Sequence, residues 1–156
     1  MSLITFKATS KKLPGGLAVE NESRGFKLIL DEPEDLGGTD TGMNPVEALL
    51  CTLGSCETIV ASAFAKANDI AFDELWFELE GDLDTDGFLY GKPGVRNGFQ
   101  EIRVVMHIKT NASAEKVQQF QEFIESRCPV SDMLTHGTRL AHNKAVIERT
   151  PVVSLN

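Results

Sequence analysis

The stretch ESRCPVSDML, residues 125–134, sets a cysteine directly before a proline. Proline suits the first position of a helix, where its missing N–H has no intrahelical partner to lose, so Cys128 is predicted to be the N-cap. Ser, Thr, Asp or Asn would cap better, so capping alone does not explain a thiol there. The partial positive charge at a helix N-terminus stabilises a thiolate. A thiol so placed is expected to fall below its ordinary pKa of about 8.5 and to become a nucleophile. The competing account is a small, buried, apolar residue, because free cysteines are commonly buried.

Two further thiols stand in GMNPVEALLCTLGSC, residues 42–56. Cys51 and Cys56 are five positions apart. At about 100° per residue that puts them roughly 140° apart around a helix, on different faces, so they are a poor pair with each other. A C-x-x-C redox motif is absent. Cys56 closes the small-residue run Gly54-Ser55-Cys56, which lets another segment come close. Spacing is silent on whether Cys56 meets Cys128, 72 positions further on. His107, His136 and His142 form no pair at zinc-ligand spacing, and no metal site is expected.

Helices and strands must position these thiols. Asn44 as cap, Pro45 at the first helical position and Glu47 at the third predict a helix running to about Asn68. Ala48, Leu49, Leu50, Leu53, Ile59 and Val60 make its first half apolar on almost every face, as befits a core or an interface. Before it, residues 4–10, 16–23 and 24–32 read as a small antiparallel meander with a turn at LPGG, and residues 33–44 as a loop. After it, residues 70–83 alternate, with Leu75, Phe77 and Leu79 opposite Trp76, Glu78 and Glu80, which marks a strand. Residues 101–110 are its hairpin partner. The long connection over 84–100 reads as a disordered decoration rather than a lid. Ser113 is expected to cap a second helix with Val117, Phe120, Phe123 and Ile124 on its apolar stripe, and a short third helix ends near Gly137. Residues 143–153 suggest a strand or an extended tail. The acidic runs Asp31–Asp35 and Glu78–Asp86 are expected to be solvated surface.

At 156 residues, with 42% hydrophobic and 24% charged, the chain suits one globular domain over 1–156. A net charge of −8 and a pI near 4.9 argue against nucleic acid and against an anionic membrane surface. The opening MSLITFKATSKK turns polar too soon for a signal peptide. Gly54, Ser55 and Glu57 interrupt the longest apolar stretch, a poor membrane span. A cytoplasmic protein is expected. In a reducing compartment thiols are more often catalytic, redox-active or metal-binding than bridged.

Gly42, Asn44, Pro45, Glu47, Leu49, Leu50, Leu53, Gly54, Ser55 and Cys56, followed by the distant Cys128, Pro129 and Val130, resemble the OsmC/Ohr family of thiol-dependent peroxidases. The loop before the first helix and the order of the later elements fit as well, so the resemblance covers essentially the whole chain. It implies an α+β fold in an intertwined homodimer, with long buried central helices packed against antiparallel sheets. It also implies that Cys56 and Cys128 lie close together near the subunit interface. Cys56 would be the peroxidatic cysteine and Cys128 the resolving one, with a hydroperoxide as substrate. No cofactor is implied beyond an external dithiol reductant such as a lipoylated protein. Cys51 has no part in the pattern and is expected to pack in the core.

The chain departs from the Ohr branch at two points. Val46 stands where that branch has a glutamate, and Glu47 follows one position later, as a capping residue or a catalytic one. Where that branch has an arginine, the segment SKKLPGG offers only Lys11 and Lys12; Arg24 lies one strand later. These departures imply the broader OsmC-like group. They leave open two alternatives to a peroxidase: a non-catalytic small-molecule-binding protein and a redox sensor, both on the same fold.

Overall fold

The longest element grows from its local signals. In the computed structural model, which describes residues 3–142 and 145–148, α1 spans Pro45–Phe64. Asn44 Oδ1 accepts the N–H groups of Val46 at 3.1 Å and Glu47 at 2.9 Å. Glu47 Oε2 accepts the N–H of Asn44 at 2.8 Å, which completes the capping box. The helix stops short of Asn68 because the chain tightens into a 3-10 turn over Lys66–Asn68 and leaves through Asp69 at φ 49°.

The meander consists of β1 (Thr9–Lys12), β2 (Val19–Ser23) and β3 (Phe26–Leu30), paired in that order. β1 begins later than the alternation in residues 4–10 suggests. Its position is set by backbone pairing from Thr9 opposite Glu22 to Lys12 opposite Val19. Asp31 is buried rather than solvated. Its Oδ2 accepts Thr39 N–H at 2.9 Å, Thr39 hydroxyl at 2.6 Å, Thr41 N–H at 3.2 Å and Thr41 hydroxyl at 3.0 Å. The Thr39 hydroxyl above all holds this carboxylate well below its ordinary pKa. The loop leading to α1 is folded around it.

A second antiparallel sheet pairs β4 (Glu74–Asp82) with β5 (Glu101–Lys109), with Phe77 opposite Met106 and Leu79 opposite Val104. The alternation in β4 is as read from the sequence: Leu75, Phe77 and Leu79 turn inward and pack on α1. Gly54 permits the close approach, since a Cβ there would stand 2.8 Å from Leu79 Cδ1. On the outer face Trp76 stacks on His107, ring centroids 4.6 Å apart.

Residues 84–100 are ordered, contrary to the expected decoration. Asp84 caps a short helix, α2 (Thr85–Tyr90), accepting Asp86 N–H at 3.0 Å. Phe99 lies on Gly81 of β4, where a Cβ would come within 2.5 Å of the ring. Ser113 caps α3 (Ala114–Arg127), and Cys128 caps α4 (Pro129–His136). Phe120, Ile124 and Cys128, each 1% exposed, close the core with Leu53, Val60, Ala61 and Ile70. Burying a side chain the size of Phe120 or Ile124 contributes roughly 1.5–3 kcal/mol. Residues 145–148 carry no strand; the rest of the suggested strand or tail over 143–153 lies outside the described residues.

Candidate active site

Two helix positions meet at one point. Cys56 lies half-buried in the fourth turn of α1, and Cys128 sits in the hinge between α3 and α4. The Cys128 thiol donates to Cys56 Sγ at 2.8 Å. Pro129 at the first position of α4 fixes that hinge, and the Ser131 N–H reaches back to Cys128 Sγ at 3.4 Å.

The electrostatics of Cys128 reverse the expectation drawn from its place at a helix start. Burial pushes its thiol up to about 11, and the hydrogen bond to Cys56 pushes the same way. The backbone N–H groups of Ser131 and Val130 pull it down, but desolvation wins. Cys128 therefore keeps its proton near neutral pH, with its thiol donating to Cys56 Sγ.

Beside the pair lies a cavity of about 430 Å³. Leu49, Leu53 and Glu57 of α1 form one wall, and Arg96 and Phe99 of the 84–100 connection another. Among the described residues Arg96 is the one cation in its lining, against the carboxylates of Glu57, Glu101 and Glu125. The lining also includes Ser131, the residue whose N–H reaches Cys128 Sγ.

A family model described as OsmC-like protein matches residues 38–143, a span that includes α1, both sheet-two strands and Cys128. The chain belongs to the OsmC-like family. It is 29% identical over 120 residues to a hydroperoxide reductase of Mycoplasma genitalium, covering 74% of this chain and 77% of that protein. A hydroperoxide reductase of Mycoplasma pneumoniae is likewise 29% identical over 122 residues, covering 76% and 79%. The crystal structure of an OsmC-like protein from Mycoplasma pneumoniae superposes with a TM-score of 0.74 at 24% identity, over 84% of this chain and 87% of that one. An organic hydroperoxide resistance protein OsmC from Legionella pneumophila superposes with a TM-score of 0.62 at 20% identity, over 88% and 93%. The α+β OsmC-like fold expected from the motifs is the fold found.

Within this OsmC-like fold the expected site residues part company. Cys56 and Cys128 are brought together. Glu47 is exposed and held in the capping box. Nine residues before Cys56, it stands about 13 Å away along the helix axis at about 1.5 Å per residue. Cys51 is exposed rather than packed in the core, because it faces a side of α1 that none of the described residues covers. Ile59, 67% exposed, lies on uncovered helix as well.

The sequence reading missed Glu57, which is 3% exposed. Burial raises its carboxyl to about 7, and the negative charge of Glu125 adds to the rise. A signal was present: Glu57 shares a helix stripe with Leu53, Val60 and Ala61, and a charge inside an apolar stripe calls for a reason. Arg96 gave no such signal, since only the folding of the 84–100 connection delivers it to the cavity.

Proposed function

We propose that this chain is a thiol-dependent hydroperoxide reductase. The Cys56 thiolate attacks the terminal oxygen of a hydroperoxide. An S–O bond forms, the O–O bond breaks and the alcohol departs, leaving a Cys56 sulfenic acid. The sulfur of Cys128 then displaces that oxygen as water and closes a Cys56–Cys128 disulfide, which an external dithiol reopens. The observation that carries this reading is the 2.8 Å contact in which Cys128 donates to Cys56. It holds the resolving sulfur within reach before any peroxide arrives. The hydroperoxide reductase relatives, at 29% identity, support a role in peroxide detoxification.

The wall of Leu49, Leu53 and Phe99 favours organic hydroperoxides over hydrogen peroxide. The reaction as written uses no metal, haem or flavin; a lipoylated protein has the dithiol chemistry required, and the cytoplasm the reducing poise. The working form is a homodimer, which would cover the exposed apolar residues Phe6, Phe26 and Ile59. Glu47 is assigned to capping and given no chemical role.

The test is a thiol map by intact mass and peptide mass. The reduced protein receives one equivalent of cumene hydroperoxide, and free thiols are then blocked. A rapid Cys56–Cys128 disulfide that dihydrolipoamide reopens is the expected result, with Cys56→Ser inactive. Three free thiols after treatment would sink the reading and leave a binding protein on this fold.

A further inference from the structure

Peroxide reduction at a thiol pair moves protons as well as electrons. An alkoxide is a poor leaving group until it is protonated, and the Cys128 thiol has to lose its proton before its sulfur can attack. Both sulfurs are occupied as nucleophiles, so a third group must carry the proton.

Glu57 is the side chain placed for that task. It is 3% exposed and lines the same cavity as Ser131, whose N–H reaches Cys128 Sγ. Among the described residues its carboxyl makes no hydrogen bond and no ion pair, so no partner holds it ionised. The charged groups that share the cavity with it are Glu125 from α3, Arg96 from the 84–100 connection and Glu101 from β5. α4 contributes only the uncharged Ser131, Leu134 and Thr135. The link to the thiols is Ser131, a residue of this lining whose N–H lies 3.4 Å from Cys128 Sγ.

Building on the peroxidase reading, we propose that Glu57 is the proton carrier of the thiol pair, giving its proton to the departing alkoxide and then taking one from Cys128. The balance closes. Thiolate, neutral Glu57 and ROOH yield sulfenic acid, ROH and ionised Glu57. Ionised Glu57 takes the Cys128 proton as that sulfur bonds to Cys56, and passes it to the departing hydroxide, which leaves as water. A dithiol then supplies two electrons and two protons, restoring the Cys56 thiolate, the Cys128 thiol and neutral Glu57. A carboxyl raised by burial to about 7 is well matched to donate and accept near neutral pH.

The test compares leaving groups. Cys56 oxidation is followed by rapid quench and mass spectrometry in the wild type and in Glu57→Gln, with cumene hydroperoxide and with peracetic acid. The first releases an alkoxide that needs a proton; the second releases a carboxylate that does not. Glu57→Gln should lose on the order of 100-fold with cumene hydroperoxide and stay within a few-fold of wild type with peracetic acid. Equal losses with both oxidants, or no loss with either, would overturn the proposal. The wild type gives a second readout that needs no variant: its cumene-to-peracetic rate ratio should fall as pH rises through neutrality, and a flat ratio refutes the assignment. Cys56→Ser separates the two ideas. If that variant still reduces peroxide, the thiol reading fails; if it is inactive while Glu57→Gln keeps its full rate, only the proton carrier fails.

Discussion

Iodoacetamide added to the reduced protein at neutral pH should alkylate Cys128 last of the three thiols, although a helix start is where a reactive cysteine is usually sought. The reason is the competition described above, in which burial outweighs the backbone N–H groups and raises the thiol from 9.0 to about 11. Two units correspond to about 100-fold less thiolate at any pH below that range, since each unit is a factor of ten. Only the thiolate reacts. Burial slows Cys128 further by steric exclusion, whereas Cys51 is exposed to the reagent. The sign follows from the direction of the shift: a raised thiol pKa means that Cys128 gains reactivity only as pH climbs, about tenfold per unit between about pH 7 and about pH 9. Timed quenching and peptide mass mapping read all three sites in one reaction. Alkylation of Cys128 as fast as that of Cys51 at neutral pH would refute the buried-donor arrangement. It would also undo the assignment of Cys56 as the attacking sulfur. A dimedone trap supplies the complementary result: Cys128→Ser should accumulate a sulfenic acid at Cys56, and Cys56→Ser should form none at Cys128.

Asn44→Ala removes two cap hydrogen bonds and should cost about 1 kcal/mol, a fall of about 2–4 °C in Tm by thermal unfolding. Glu47→Ala should cost less than that and leave Cys56 oxidation unchanged; a tenfold slower oxidation in the folded variant would return Glu47 to the chemistry. The carboxyl of Glu57 is raised from 4.5 to about 7, so its contribution to stability is complete below its unfolded value and is lost as pH rises through about 7. The loss amounts to up to about 3 kcal/mol; urea titrations should show this decline in the wild type and not in Glu57→Gln. Gly81→Ala drives a methyl into the Phe99 ring. It should destabilise by about 1–3 kcal/mol and change the oxidation rate with bulky hydroperoxides more than with small ones.

The parts of the fold legible in the sequence were those whose causes are local. Asn44, Pro45 and Glu47 state the start of α1 within four residues, and Ser113 and Cys128-Pro129 do the same for α3 and α4. The alternation of β4 is equally plain, because one face of that strand is covered and the other is not. β1 was displaced because its residues, TSKK, have no apolar pattern; pairing with β2 sets their place. α2 was hidden because a single Asp84 cap in a glycine-rich connection carries little weight until Phe99 lies down on Gly81. The thiol pair was legible as two residue types and a family pattern, but its polarity was not. A sequence displays the helix end that would lower the Cys128 pKa and conceals the desolvation that raises it. Glu57 shows the converse case, a visible anomaly in an apolar stripe whose meaning depends on what faces it.

The stacked pair on the outer face of the second sheet makes the protein self-reporting. Trp76 is the only tryptophan in the chain. It borders a shallow hollow together with Ser55, the residue before Cys56. Its indole lies flat on the His107 imidazole, 3° from parallel, with ring centroids 4.6 Å apart. If Cys56 and Cys128 cycle as proposed, emission from this ring offers a label-free signal of that cycle, with His107→Phe as the control for the stack.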